Sequence, residues 1–344
     1  WIGNPDLKWE TTKQTDFGVD FGFFNQRLTG SFDYYYKKTN DILVQTPYIA
    51  AMGEGGEPWV NGASMNNQGV EFTVSFKSDP SSEFQWAVSA NIGTYKTELT
   101  DLPSNVINKY AGDGVHDLIL GRSPNSAYGL VADGIFKTQE EVDAHADQPG
   151  KAVGRIRYKD LDGDGVINET YDRTWIGCYD PDFFGGLNFD FAYKGFDLNL
   201  FFEGMFGNDV NSDWKKESDI WLFTNPAWKN HATRMLGGWS PDNPNSDIPA
   251  ISNNTANQEQ RFSSWFIEDG SYIKLRNIEL GYTFPTKLIK KMHMSNLRLY
   301  AAAYNVFTLK KFWGDDKYTS FDPERPSYHY LTPFTFNFGI NVSF

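Results

Sequence analysis

The sequence predicts an all-β fold, a transmembrane antiparallel β-barrel, from three observations. Apolar and polar residues alternate with a period of two over many segments. The connections between these segments alternate between short and long along the chain. Aromatic residues are dense, with 28 Phe, 18 Tyr and 11 Trp among 344 residues, although 22% of the chain is charged. Large rings on one face of otherwise polar strands are typical of a barrel wall between lipid and water.

The first predicted strand sets the pattern by which the others are recognised. Apolar side chains occupy every second position from Phe17 to Phe23, and polar residues or glycine lie between them. Because successive side chains of a strand point to opposite faces, the apolar ones share one face. The same alternation marks segments 28–36, 70–76, 86–92, 187–193, 196–202, 278–282, 297–303 and 334–344. An amphipathic helix is predicted at 286–292.

The connection lengths give the predicted strands a direction. Short connections are expected at 24–26, 78–83, 194–195 and 285–296. Long ones, rich in Trp, Gly, Pro and Asn, are expected at 38–67, 137–184, 207–270 and 308–333. Outer-membrane barrels carry short periplasmic turns at one end and long extracellular loops at the other. The alternation therefore favours this class of protein.

The same rule predicts the number of strands. If the turns at 78–83 and 194–195 lie at one end, an even number of strands separates segments 86–92 and 187–193. Two weaker segments at 115–120 and 127–136, joined at 122–126, supply that pair. The count becomes about eleven strands. Single-chain bacterial barrels have even counts, so an odd number indicates part of a larger barrel.

A soluble β-sandwich would alternate as well, so further features are needed to favour a membrane barrel. Gly, Ser, Thr, Asn and charged residues fill the second face of nearly every predicted strand, as in a polar lumen. Tyr and Trp lie near strand ends, where an interfacial girdle is expected, at Tyr34, Trp86, Tyr193, Tyr282 and Tyr300. Closure into a barrel would also pair the apolar C-terminal strand.

Charge and composition exclude several classes of protein. The net charge is −13, which argues against a nucleic-acid partner because phosphate binding needs clustered positive charge. No apolar run reaches the roughly 18 residues of a transmembrane helix. The single cysteine, Cys178, forms no internal disulfide. The chain begins at Trp1 without an initiator Met, so we expect it to be part of a longer protein.

Several motifs, taken in order, resemble the SusC/RagA-like TonB-dependent outer-membrane transporters of the Bacteroidetes type. They are NPDLKWE at 4–10, FFNQRLTGSFDYYYKKT at 23–39, YKDLDGDGVI at 158–167, YKGFDL at 193–198, WSPDNPN at 239–245, EDGSYIKLRNI at 268–278 and YNVF at 304–307. The resemblance covers essentially residues 1–344. It implies that the chain is the C-terminal half of a 22-stranded barrel whose lumen holds a plug domain.

The resemblance also implies function and partners. Such transporters import large nutrients, glycans or peptides, across the outer membrane with energy from the TonB complex. The implied partners are a SusD-like surface lipoprotein, the missing plug and N-terminal barrel half, the lipid bilayer and lipopolysaccharide. A terminal apolar alternation that resembles the signal read by the barrel-assembly machinery comprises Phe336, Phe338, Ile340, Val342 and Phe344. Two alternatives stay open: a scaffold subunit without import, and a soluble carbohydrate-binding β-protein.

The most specific chemical motif is an aspartate loop with the spacing of an EF-hand-type calcium site. Carboxylates at positions 1, 3 and 5 can converge on Ca²⁺, and glycine at position 6 permits the sharp turn. Tyr171 stands at position 12, where a Glu is expected, so Glu169 or Asp172 would have to close the site. The candidate ligands are Asp160, Asp162, Asp164, Val166 and Asp172. The alternative is an Asp/Gly turn that bonds its own backbone.

Tryptophans in the long connections are candidates for contact with substrate or partner. Trp and Tyr provide a large contact area at small entropic cost, and their rings can stack on sugars. The candidates are Trp59, Trp214, Trp221 and Trp239. The competing interpretation is that these rings pack the loops against one another. No HExxH spacing or nucleophile–base pair marks an active site, so we expect no enzyme.

Overall fold

Strands make up most of the described chain. The computed structural model describes residues 4–45, 59–104, 106, 118–220, 232–252, 258–310, 321–326 and 330–344. The strands are β1 (Thr11–Phe23), β2 (Leu28–Gln45), β3 (Trp59–Lys77), β4 (Phe84–Asp101), β5 (Ser126–Leu130), β6 (Ala132–Ile135), β7 (Ile156–Tyr158), β8 (Arg173–Cys178), β9 (Phe183–Tyr193), β10 (Phe196–Phe206), β11 (Asp209–Asn211), β12 (Ile267–Asp269), β13 (Tyr272–Thr283), β14 (Asn296–Lys310) and β15 (Thr335–Ser343). The α-helices are α1 (Gln139–Ala144), α2 (Asp213–Lys215) and α3 (Thr286–Ile289).

Short helical turns complete the secondary structure. A π-helical turn at Lys216–Ile220 follows α2, and 3₁₀ turns lie at Thr233–Gly237, Ser264–Phe266 and Lys290–Met292. The last of these continues α3, so the amphipathic helix expected at 286–292 is present. Among the described residues, every helix is too short or too polar to cross a bilayer.

One antiparallel sheet of nine strands forms the main body of the described chain. Its order is β1-β2-β3-β4-β9-β10-β13-β14-β15, so nearly every strand neighbours the next long strand in sequence. Within the described residues, β1 and β15 each pair with one neighbour, which leaves two open edges. The sheet is therefore part of a wall, as the odd strand count indicates.

The predicted count of about eleven strands is wrong, because β4 pairs directly with β9 from Phe84 opposite Tyr193 to Gly93 opposite Phe184. The expectation of an even number of strands between segments 86–92 and 187–193 is met equally well when no strand lies between them. The segment predicted at 127–136 forms β5 and β6, which belong to separate two-stranded sheets with β8 and β7. Its apolar pattern reflects burial, since Leu130 and Ile135 are 0% and 3% exposed. Residues 115–117 lie outside the described ranges.

The alternation of short and long connections is confirmed. The links β1–β2, β3–β4, β9–β10 and β13–β14 lie at one end of the sheet, and residues 46–58, 102–182, 207–271 and 311–334 connect strands at the other. The tightest link has Lys194 and Gly195 at φ values of 48° and 90°. Positive φ at both central positions is the geometry of a type I′ hairpin, whose twist matches that of the flanking strands.

The register places apolar residues in continuous rows across the sheet. One row crosses all nine strands through Phe23, Leu28, Phe76, Val88, Phe189, Leu200, Ile278, Ala303 and Phe336. We call this side of the sheet the apolar face. Large side chains on it are exposed, including Phe17 at 63% and Phe338 at 79%. Such a face is unfavourable in water and suits a hydrocarbon environment.

The opposite side, the polar face, carries hydrophilic rows. One of them runs through Lys77, Ala87, Asp190, Asn199, Glu279, Ala302 and Asn337. Hydrogen bonds link neighbouring strands across it: the Asn199 amide donates to Asp190 at 2.7 Å and the Asn277 amide donates to Asn199 at 2.9 Å. Water-facing side chains that also bond one another are expected of a barrel lumen.

Two long connections fold together above the sheet around a cluster that we call the loop core. Its members are Leu130, Ile135, Ile156, Tyr158, Ile167, Ile220 and Phe266. A buried ion pair lies beside it, with Arg155 Nη1 2.8 Å from Glu259 Oε2 and both side chains 6% exposed. The second oxygen of Glu259 accepts from the Ile156 amide at 2.9 Å. Charges removed from water this far need such complete pairing.

A charge introduced on either face tests the assignment of the two faces. We expect Val88→Arg to destabilise the barrel by about 2–4 kcal/mol, the cost of Arg on a lipid face near the bilayer midplane. Its neighbour Ser89 lies on the polar face, where its hydroxyl donates to Ser75 at 2.9 Å. Ser89→Arg should therefore cost less than about 1 kcal/mol. Denaturant unfolding of the barrel in lipid vesicles measures both, and equal costs would contradict the assignment.

Candidate functional site

Charged side chains gather on the polar face near the ends of β10 and β13 that lead to the long connections. Arg276 of β13 donates to both carboxylate oxygens of Glu203 on β10, at 2.8 and 3.2 Å, and also to Glu324. Lys274 of β13 is 2% exposed at its side chain, contacts Asp322 at 3.2 Å and donates to Glu324. We call these five residues the charge cluster. It joins two strands to a loop that is distant in sequence.

The loop partners of the charge cluster belong to residues 321–326, which we call the docked segment. Three further contacts hold it: the Lys310 ammonium donates to the Phe321 carbonyl at 2.8 Å, and the Trp214 amide donates to the Pro326 carbonyl at 3.3 Å. The rings of Trp214 and Phe321 meet edge to face at 4.7 Å. The segment is thus bound through charges at its centre and through an aromatic contact at one end.

Electrostatics favours the ionised form of Glu324 in this position. Burial alone would raise the pKa of Glu324, but hydrogen bonds from Lys274 and Arg276 outweigh burial and hold that pKa below its usual value. Tyr272 adds a neutral donor, with its hydroxyl 3.0 Å from Glu324 Oε1. The docked segment is therefore fixed by a carboxylate that stays charged at neutral pH.

A second ionic group lies on the polar face near the short-turn end. Arg298 of β14 donates to Asp197 of β10 at 3.1 Å and to Glu279 of β13 at 2.7 Å. The two clusters place charges along the polar face toward both ends of the same strands. Sequence analysis assigned none of these residues to a site, although the alternating Lys274 and Arg276 of β13 gave a signal for charges on one strand face.

The aspartate loop brings three of its predicted ligands together. Carboxylate oxygens of Asp160, Asp162 and Asp172 all lie within 4.8 Å of one another. Asp172, at position 13 of the loop, is fully buried and takes the place that Tyr171 leaves open at position 12. Among the described residues Asp164 is not part of this group, and its carboxylate accepts from the Val166 amide at 2.7 Å.

The loop also bonds its own backbone extensively. Asp160 accepts from the amides of Gly163 and Gly165 at 2.7 and 2.9 Å, and Asp172 accepts from those of Leu161 and Asn168 at 2.8 and 2.7 Å. These bonds are what an Asp/Gly turn would make without metal. Both interpretations of the sequence motif are therefore compatible with its geometry, and the backbone bonds leave three carboxylates converging.

The charges in the loop repel one another. The Asp164 amide lowers the pKa of Asp162, but partial desolvation and the carboxylates of Asp164 and Asp172 outweigh it, so this pKa is raised above its usual value. Desolvation would raise the pKa of Asp160, but the hydrogen bonds from the amides of Gly165 and Gly163 outweigh it, so the pKa of Asp160 is lowered. A divalent cation with oxygen ligands would relieve this repulsion, and three carboxylates fit Ca²⁺.

The loop is attached to the loop core rather than free. Asp147 pairs with Val166 in a parallel bridge, donating to the Gly165 carbonyl at 2.7 Å and accepting from the Ile167 amide at 2.9 Å. Ile167 is 2% exposed within the loop core. The backbone of the aspartate loop is thus joined directly to a residue whose side chain packs in the loop core.

The candidate tryptophans occupy unlike surroundings and form no common surface in the described chain. Trp239 packs against the loop core, and Trp214 contacts the docked segment. Trp59 is 43% exposed at the start of β3. Trp221 lies outside the described residues. Packing of loops accounts for Trp239 and Trp214, while Trp59 stays a prediction for contact with substrate or partner.

The terminal alternation lies on β15 and extends one residue beyond it. Phe336, Phe338, Ile340 and Val342 share the apolar face of this strand, and Phe344 follows its end. Exposure ranges from 39% at Val342 to 86% at Phe344. Their role as a signal for barrel assembly stays a prediction.

Comparison with known proteins gives this architecture a family. The sequence profile described as "TonB dependent receptor-like, beta-barrel" matches residues 1–306. TonB-dependent receptor P3 of Formosa agariphila is 32% identical over all of this chain and 35% of its own length. TonB-dependent receptor SusC of Bacteroides thetaiotaomicron is 27% identical over 99% of this chain and 32% of its own length.

Solved structures agree with the sequence relatives. A chain of the RagAB peptide transporter superposes with a TM-score of 0.77 and 25% identity, over 100% of this chain and 36% of its own. The present chain thus spans about a third of the length of the relatives it matches. The nine-stranded wall with its apolar and polar faces belongs to an outer-membrane protein, and the chain is a member of the TonB-dependent receptor β-barrel family, similar to SusC and RagA.

Proposed function

We propose that this chain is part of the wall of an active importer for large nutrients in the outer membrane. The observation that carries the proposal is the polar face, where ionic clusters and a docked loop segment border the interior of the barrel. Fixed charges and hydrogen-bonding groups on the inner wall of a barrel tune what can pass through it. The family relation to SusC and to the RagAB peptide transporter supports import as the activity.

Partners follow from the same relation. The transporter would comprise this chain, further barrel strands and a plug domain, with a SusD-like lipoprotein at the extracellular side and the TonB complex as the source of energy. Glycans or peptides are the proposed substrate classes, and the name of the RagAB peptide transporter supports peptides. The open edges at β1 and β15 are where neighbouring strands of such a barrel would pair.

The docked segment is proposed to shape the extracellular entrance of the lumen. It lies within the long connection between β14 and β15 and contacts β13 through the charge cluster, so its position depends on that cluster. An interior salt bridge of this kind holds one arrangement of a loop, because leaving either charge unpaired is costly. Release of the segment would therefore change both the width and the charge of the entrance.

The aspartate loop is proposed to bind one Ca²⁺ through Asp160, Asp162 and Asp172, with the carbonyl of Val166 as an expected further ligand. Asp164 would remain outside this set. The role would be structural, because the loop is bonded to Asp147 and to the loop core. Extracellular calcium modules of this type bind in the range of about 10⁻⁴–10⁻³ M.

Import is tested in cells that carry the full-length gene under its own promoter. We expect the parent strain to grow on a glycan or peptide mixture that this transporter imports. A strain that lacks the gene, or the TonB-interacting segment upstream of this barrel, should fail to grow on that same nutrient. A radiolabelled form of that nutrient should lose energy-dependent uptake at least tenfold. Unchanged uptake with an intact, membrane-inserted complex would instead support the scaffold alternative.

The docked segment is tested with Glu324→Gln in the full-length transporter. Losing the ion pairs should raise hydrogen–deuterium exchange of residues 321–326 at least tenfold at pH 7. In the wild type, docking should persist as pH falls through the usual glutamate pKa of 4.5 and be lost only below it, because the pKa of Glu324 is lowered. Arg157→Met, which breaks a surface pair with Asp133, is the control and should leave that segment protected.

Calcium binding is tested by isothermal titration of the purified, EDTA-treated transporter. Asp162→Asn should weaken binding at least tenfold, because it removes one of the three converging carboxylates. Asp162 is exposed, so this change leaves the buried Asp172 in place. Asp164→Asn should weaken binding less than threefold. Asp143→Asn on α1 is a matched control outside the loop. Wild-type protein that takes up no Ca²⁺ at 5 mM, about five times the weak end of the expected range, would contradict the proposal.

A further inference from the structure

The apolar face is interrupted by a groove where two glycines meet. Gly185 of β9 lies directly opposite Gly204 of β10, so two adjacent strands lack side chains at the same level. The resulting groove has a volume of about 510 Å³. Ligand pockets in proteins typically measure about 300–1,000 Å³. We call it the glycine groove.

Close packing disfavours a side chain at both glycines, and it does so most strongly at Gly185. A Cβ atom on Gly185 would lie 2.3 Å from the carbonyl oxygen of Asn91 on β4. One on Gly204 would lie 3.0 Å from the Phe206 ring and 3.1 Å from the Tyr272 carbonyl oxygen. A side chain at Gly185 would clash with the backbone of β4, and one at Gly204 would crowd its neighbours, so the packing of the sheet favours this depression.

Aromatic rings border the groove along the strands. On the side of the long connections, Phe183 and Phe206 stack with ring centroids 4.8 Å apart. Farther along the same two strands, Phe189 and Phe202 meet edge to face at 6.2 Å. Little of the groove's surface is polar. Glu203 lines the groove, but its side chain points to the charge cluster on the opposite face. The groove is therefore almost entirely hydrocarbon.

Aliphatic side chains border it across the strands. Ile92, the two glycines, Ile273 and Leu309 form one row from β4 to β14. The backbones at Ile92 and Ile273 are three strand spacings apart, about 14 Å. An α-helix is about 10–12 Å wide with its side chains and would have to displace these walls. Flexible hydrocarbon chains conform to the irregular floor without doing so.

The length of the groove along the strands, measured along the membrane normal, matches the thickness of one leaflet. Along β9 it extends from Phe183 to Phe189. Six residue steps of about 3.3 Å, tilted by roughly 40°, cover about 15 Å along the membrane normal, half of a hydrocarbon core about 30 Å thick. Its upper end lies beside the long connections, which are extracellular in an outer-membrane barrel. The groove thus opens into the outer leaflet.

We propose that the glycine groove is a binding site for the acyl chains of lipid A, the lipid of the outer leaflet. The site is continuous with the apolar face that contacts the membrane. A polar ligand would find no hydrogen-bond partners for its polar groups in this lining, whereas a hydrocarbon chain needs none. A lipid seated here would lie against β9, β10 and β13, and the opposite face of β10 and β13 carries the charge cluster.

The proposal is tested with the full-length transporter complex, purified in mild detergent and stripped of lipid. Purified lipid A is added at defined ratios, and bound lipid is identified by its mass in native mass spectrometry. Leu309→Trp narrows the groove from its wall on β14. Leu299→Trp, on the same face of the same strand but away from the groove, is the matched control. Ile92→Trp narrows the opposite wall and serves as a second variant.

We expect the wild type and Leu299→Trp to retain one lipid A per barrel that both groove variants lose at least fivefold. Heat-modifiable migration in gels verifies that each variant barrel is folded. Equal retention by Leu309→Trp, Ile92→Trp and Leu299→Trp would overturn the site. A glycerophospholipid or the acyl chains of a lipoprotein that competes with lipid A at equal concentration would overturn the assignment of the ligand.

Discussion

The structure depends on one constraint: in hydrocarbon every backbone amide and carbonyl must find a partner within the protein. Between β1 and β15 the strands meet it through antiparallel ladders, interrupted at a few bulges, which fix the register of each strand against the next. Because side chains alternate with a period of two, a fixed register also fixes which residues share a face. The apolar row from Phe23 to Phe336 is thus a consequence of backbone pairing, and so is the polar face behind it.

The polar face shows how such a wall acquires function. Charges that would be unfavourable against lipid are tolerated where they face water and one another, as Arg298 does between Asp197 and Glu279. At the other end of the same strands, Lys274 and Arg276 bind carboxylates of a loop and so make that loop part of the wall. The strands supply rigid positions, and loops held on such a scaffold commonly carry the binding surfaces.

The two proposed ligand sites depend on backbone geometry in opposite ways. In the aspartate loop, backbone amides orient the carboxylates and hold them together against their mutual repulsion. At the glycine groove, neighbouring strands lie so close that a side chain has little room, and the two glycines leave an apolar hollow. One site would take a hard cation on the extracellular side and the other a hydrocarbon chain in the membrane. The aspartate loop lies in the connection that leads to β9, and the glycine groove lies on β9 and β10 themselves.

The sequence by itself determined the strands, their two faces and the alternation of short and long connections, because period-two patterning and turn residues act over a few neighbouring positions. It also marked the aspartate motif and the need for a ligand such as Asp172 beyond position 12. Tertiary structure alone decided that β4 pairs with β9, so the described part of the wall has nine strands and not eleven. It also decided that Trp239 packs into the loop core and that Lys274 and Arg276 meet a segment about fifty residues away. Such contacts arise from loop closure and burial, for which local sequence patterns carry no signal.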